Sequence, residues 1–190
     1  MHLPILRPGG IPILLFLVFT CATVVVRTAT TKSAPPSGTK KVDPGKKTCS
    51  EAIVRIIGKG GISGDGRFLK EAKSVHVTIS VNGLAAKQEF TFHIHEGPAG
   101  NNNDCSTTLG HYDTSKPPRQ LCAGKNPKDC QLGDLAGKSK PLSDRRTGAA
   151  SISYRDPVLD TSDLPGRSVV VHAPNSLEKI ACGTITCKRK

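Results

Sequence analysis

Two histidines, His93 and His95, stand two residues apart in the stretch 89–95, and they are the first residues of this chain whose types and spacing could do chemistry. Phe90, Phe92 and Ile94 alternate with Thr91, His93 and His95, which predicts a strand carrying both imidazoles on one side and its apolar residues on the other. Imidazole is the commonest metal ligand, so the pair is a candidate half of a metal centre; two surface histidines on a polar face are the ordinary alternative. His111, in a Gly-rich stretch after Cys105, and His172, at the end of the apolar run 169–171, are candidates for the other half. His76 has no His or Cys two positions away and reads as a solvated side chain.

The elements that must position these histidines are strands. Residues 75–81 alternate strictly, with Val75, Val77, Ile79 and Val81 on one face, and predict a half-buried strand. Residues 52–57 are apolar enough for a buried strand, and KGGISGDG after them reads as turn chemistry. Further strands are predicted near 149–154, 167–172 and 179–187, with DPVLDTSDLPG as a turn-rich connection. Residues 96–133 carry no periodicity but hold three cysteines, and a loop that long in a compact domain is functional or disordered. Its cysteines argue for function. No amphipathic helix of useful length and no internal repeat is visible, so the fold class is all-β.

At 190 residues the chain suits one main domain. Residues 11–26 form an apolar run broken by Thr20 and Thr23, read as the core of a secretory signal peptide over 1–22; an uncleaved anchor is the alternative. Residues 28–48 are rich in Thr, Lys, Pro, Ser and Gly, so the stretch 23–48 after the leader reads as a disordered linker, leaving a folded domain over 49–190. No second apolar stretch follows, so no membrane span is expected in the mature form. With Cys21 in the leader, six cysteines remain in an exported context, which reads as three disulfides of open connectivity. The formal charge of +12 favours solubility and weak attraction to acidic surfaces. Nucleic acid is not an expected partner, because the setting is extracellular and two Tyr, five Phe and no Trp offer few stacking platforms.

Four ordered motifs, FHIHEGPAGNNNDCSTTLGHYD, QLGDLAGK, GRSVVVHAP and KIACGTI, resemble the copper/zinc superoxide dismutase family across most of residues 88–187. The resemblance implies an eight-stranded Greek-key β-barrel or sandwich with a long disulfide-stapled loop, superoxide as substrate, and one copper per chain held by His93, His95, His111 and His172. It implies a Cys105–Cys182 disulfide. It gives His111 the further role of taking up a proton when copper is reduced and delivering it to a second superoxide. Lys179 stands where the family has an active-site arginine, three residues before Cys182, and would draw the anion in; a solvated strand-end lysine is the alternative.

The zinc half of the family pattern is matched only by His111 and Asp134, with Cys122, Cys130 and Gln131 where further histidines would stand. A site of two thiolates, one His and one Asp is conceivable, but an oxidising compartment favours a Cys122–Cys130 disulfide. Together with the short connection between His172 and Cys182, this resembles the fungal copper-only members, so no zinc is expected. Asp134 is then expected to orient His111 by a hydrogen bond, beside Gln131, where that subgroup carries a glutamate. Cys49 and Cys187 remain, opening the first strand and closing the last, and pairing of the terminal strands would bring them together. A monomer is the working expectation. A secreted copper-binding domain without turnover, a copper/zinc enzyme with altered zinc ligands, and a structural sandwich with fortuitous histidines are the competing readings.

Overall fold

A computed structural model describes residues 48–144 and 146–189; the leader expected over 1–22 and nearly all of the linker expected over 23–48 lie outside the described residues. Among the described residues nine strands form: β1 (Glu51–Gly58), β2 (Ser63–Lys70), β3 (Val75–Asn82), β4 (Glu89–Phe90), β5 (Phe92–His95), β6 (Leu142–Ser143), β7 (Ala150–Asp156), β8 (Ser168–His172) and β9 (Lys179–Cys187). One short helix, α1 (Leu135–Lys138), precedes β6. Seven strands make an antiparallel sheet in the order β5-β8-β9-β1-β2-β3-β7, and β4 pairs with β6.

The stretch 89–95 is broken at Thr91, whose carbonyl accepts the His172 N–H. Its first part leaves with β6 and its second joins β8, so one extended segment links the two sheets. Counted as one, the strands number eight. With β6 packed beside β7, they follow one another in a Greek-key order around a single apolar core.

β1 is not buried on both faces: Ala52, Val54 and Ile56 point into the core, while Ile53 and Ile57 are more than a third exposed, because its outer face meets solvent. SGDG is not a turn. Only Lys59–Gly61 turn, and Ser63 already pairs with both Ile57 and Asn82. Gly64 and Gly66 belong to the inward face of β2, where a Cβ would fall 2.3 Å from Ser80 O and 2.5 Å from Ile79 Cδ1. Glycine here is required by packing rather than by a bend.

Among the described residues three disulfides form, Cys49–Cys187, Cys105–Cys182 and Cys122–Cys130, with Cα separations of 5.7, 5.7 and 4.9 Å. The first ties the start of β1 to the end of β9, which already pair at Ala52 and Cys187. The second fastens the 3-10 turn Cys105–Thr108 to β9, and the third staples the loop before α1.

Candidate metal centre

β5 is buried on both faces. Phe92 and Ile94 enter the barrel core, and the covering loop hides His93 and His95 to 2% exposure each. Cross-strand register places His93 opposite Val170 and His95 opposite Ser168. The loop returns antiparallel along β5: His111 bridges to His95, Tyr112 N–H donates to Ile94 O, and Gly133 N–H donates to Tyr112 O. Gly133 fits because a Cβ would fall 2.3 Å from Ile94 O. Arg167 stacks 3.7 Å above the Tyr112 ring, pinning the residue after His111. His172 ends β8 after an irregularity at Val171/His172 and pairs with Lys179 of β9.

These elements bring His93, His95, His111 and His172 together, with one donor nitrogen from each within 4.8 Å of the others. The outward-facing nitrogens all find oxygen acceptors. His95 Nδ1–H donates to Leu109 O at 2.9 Å, His172 Nδ1–H to Leu177 O at 3.0 Å, and His111 Nδ1–H to Gln131 Oε1 at 3.0 Å. His93 uses its other nitrogen, Nε2, which lies 3.3 Å from Asp134 Oδ1. Four acceptors therefore leave four bare nitrogens aimed at one point.

Burial pushes the His95 pKa down to about 3 and the His172 pKa down to about 4, and it also lowers His111. Neutral imidazoles result at neutral pH. With both Nδ1 protons on the carbonyls of Leu109 and Leu177, His95 Nε2 and His172 Nε2 face each other 3.2 Å apart as two lone pairs, a contact that a shared cation would relieve. His93 Nδ1 is buried without any hydrogen-bond partner. An orphaned buried nitrogen and opposed lone pairs are what a metal would satisfy, and a set of four imidazoles suits copper.

Asp134 is placed differently from the sequence expectation. It does not reach His111; Gln131 holds that ring. Asp134 is 2% exposed, approaches His93, accepts the Cys122 N–H at 2.7 Å through Oδ2 and caps α1 by accepting the Gly137 N–H at 2.8 Å through Oδ1. Burial pushes its carboxyl up, but the His93 and backbone contacts outweigh that and hold it below its usual value. The physical reason is that Asp134 is the N-cap of α1, so its carboxylate is turned onto the first turn of the helix and beside His93 of β5.

Lys179 Nζ donates to Thr108 Oγ1 at 2.9 Å and to Leu109 O at 2.8 Å, and burial lowers its pKa. Thr108 and the carbonyls of Leu109 and Leu177 are the contributors that sequence reasoning missed. Backbone oxygens leave no side-chain signature. Lys138, in α1, was missed as well: it forms a buried ion pair with Asp156 at 2.5 Å and donates to Leu132 O at 2.7 Å, anchoring the helix that carries Asp134. His76 lies apart on β3, 2.7 Å from Ser153 Oγ.

An all-β barrel holding a buried four-imidazole centre beside a tethered lysine defines the class: a copper-type metalloprotein. Residues 62–185 match the family model described as copper/zinc superoxide dismutase. This chain belongs to that family.

Among curated proteins it is 36% identical over 122 residues to a cell surface superoxide dismutase (Cu-Zn) 6 of Candida albicans, covering 61% of this chain and 37% of that protein. It is 27% identical over 119 residues to a cell surface Cu-only superoxide dismutase 5 of the same organism, covering 60% and 49%. A superoxide dismutase (Cu-Zn) of Paramecium bursaria Chlorella virus 1 is 29% identical over 119 residues, covering 60% and 59%. The match thus spans between about a third and three-fifths of these relatives' lengths. Among the described residues, no helix is long and apolar enough to cross a membrane.

Proposed function

We propose that this protein is an extracellular superoxide dismutase that works at one copper ion per chain, held by His93, His95, His111 and His172, with no zinc. The observation that carries the reading is the convergence of four donor nitrogens, one of them, His93 Nδ1, buried with no other partner. Two superoxide ions and two protons become one oxygen and one hydrogen peroxide. Copper, when bound, supplies the electron acceptor for the first superoxide and the electron donor for the second.

The protein's own residues do the rest. Asp134, Leu109 O, Leu177 O and Gln131 fix the four rings, so little reorganisation accompanies electron transfer. His111 is the least buried ring of the four and the one on a loop. That position suits it to take a proton at Nε2 and return it to the departing peroxide. Lys179 places an ammonium beside this centre and draws in a small anion.

The zinc-free reading is supported by the Cys122–Cys130 disulfide, which leaves no thiolate there, and by the engagement of both Asp134 oxygens. A relative named a Cu-only enzyme points the same way. Six paired cysteines and relatives named cell-surface proteins support an extracellular site. A cleaved leader over 1–22, a linker over 23–48 and a monomeric domain over 49–190 complete the proposal.

Elemental analysis of the oxidised, copper-loaded protein, run beside a dismutation assay with His111→Ala as control, tests it. One copper, negligible zinc and turnover lost in the variant are expected. Stoichiometric zinc would overturn the zinc-free reading, and bound copper without turnover would make the protein a copper-binding domain.

A further inference from the structure

We propose that Thr108 is the positioning residue for Lys179: its buried hydroxyl turns a flexible lysine into a fixed ammonium at the metal centre. Thr108 is fully buried at the end of the 3-10 turn Cys105–Thr108. Its Oγ1–H donates to Cys105 O at 2.8 Å and its oxygen accepts from Lys179 Nζ at 2.9 Å. These roles are not interchangeable. A carbonyl only accepts and an ammonium only donates, so the hydroxyl relays one to the other.

Lys179 spends a second N–H on Leu109 O at 2.8 Å, the same carbonyl that takes the His95 Nδ1–H at 2.9 Å. Leu109 holds φ +62° and ψ −150°, a conformation that L-residues seldom adopt, with its side chain out and its carbonyl turned to both donors. One N–H of Lys179 is left for an approaching anion. A lysine is otherwise a compact charge on a four-carbon stem that samples many rotamers and lacks the rigid donor fork of an arginine. The Thr108 oxygen supplies the second anchor that a single carbonyl cannot. The anchor is itself well founded, since Cys105 and Cys182 join this turn to the strand that carries Lys179.

This inference rests on the dismutase reading for its rate measurement only. The test compares wild type, Thr108→Val, Thr108→Ser, Lys179→Met and the Thr108→Val/Lys179→Met double variant of the full chain, with Thr108→Ala as a second loss-of-hydroxyl variant. The second-order rate constant is measured after copper loading across ionic strength, and the Lys179 ammonium 15N signal is followed without metal. Loss of one hydrogen bond to the ammonium predicts a rate constant lower by about threefold to tenfold in Thr108→Val at low salt. Thr108→Ser should return to within about twofold of wild type, and the double variant should be no slower than Lys179→Met. A slowly exchanging ammonium signal is expected in wild type and Thr108→Ser and should vanish in Thr108→Val. An unchanged signal in Thr108→Val, or additive losses in the double variant, would overturn the assignment. Absence of turnover in wild type would instead defeat the dismutase reading, while the ammonium signal would still decide the role of Thr108.

Discussion

Asp134 Oδ1 lies 3.3 Å from His93 Nε2, so the carboxylate that starts α1 orients the first histidine of the H-x-H pair and not the loop histidine His111. The same carboxylate receives the Cys122 N–H, which links the small disulfide loop to the metal centre through a single side chain.

Replacing Asp134 with Ala should therefore free the His93 ring and weaken copper binding by roughly 10- to 100-fold. A competition titration against a copper chelator reads this directly. Wild-type affinity in the variant would show that Asp134 serves only to cap α1 and hold the Cys122 loop.

Gln131→Glu should move the pH profile. Burial lowers the His111 pKa, the neighbouring His93 lowers it further, and the Gln131 contact opposes both. A carboxylate in place of the neutral amide stabilises the imidazolium, so His111 should protonate at higher pH in the metal-free variant. Histidine proton NMR titration checks the direction, and a shift to lower pH would contradict the hydrogen-bond assignment.

Metal-free protein should lose stability as pH falls from about 6.5 towards 3. His95 and His172 stay neutral in the folded state down to about 3 and about 4, whereas an unfolded chain protonates them near pH 6.5. Between those limits the unfolded state binds more protons, so stability rises with pH and is lost on acidification; above about 6.5 these two groups contribute no slope. Urea midpoints measured from pH 8 to pH 4 on the metal-free protein should trace this fall, and a flat profile would count against buried neutral rings.

Lys138→Met should cost about 3–5 kcal/mol, because it strands Asp156 in the barrel without its counter-charge. Equilibrium denaturation supplies the number. A loss below about 1 kcal/mol would mean that the Tyr154 hydroxyl and the backbone N–H groups of Val158 and Leu159 suffice for Asp156.

The alternation of Val75, Val77, Ile79 and Val81 was legible because a half-buried antiparallel strand imposes a period of two on its side chains, and all four are buried. β2 was not legible. Its glycines carry no hydrophobic signal, and the reason for them lies in the distance to β3 rather than in their own neighbours in sequence. The break at Thr91 has no local signal for the same reason, since Phe90 and Phe92 both face the core and only their partners, Leu142 and Val171, differ.

The sequence by itself determined the all-β class and the candidate imidazoles, because side-chain type and local periodicity are properties of the chain. Which oxygen holds which ring was decided only by the tertiary structure. Leu109, Leu177, Gln131 and Asp134 lie between 5 and 41 residues from the histidines they orient, and two of them act through a backbone carbonyl that every residue possesses. Such an acceptor gains a role only when folding aims it at a donor, as Leu109 O is aimed at His95 and Lys179 together.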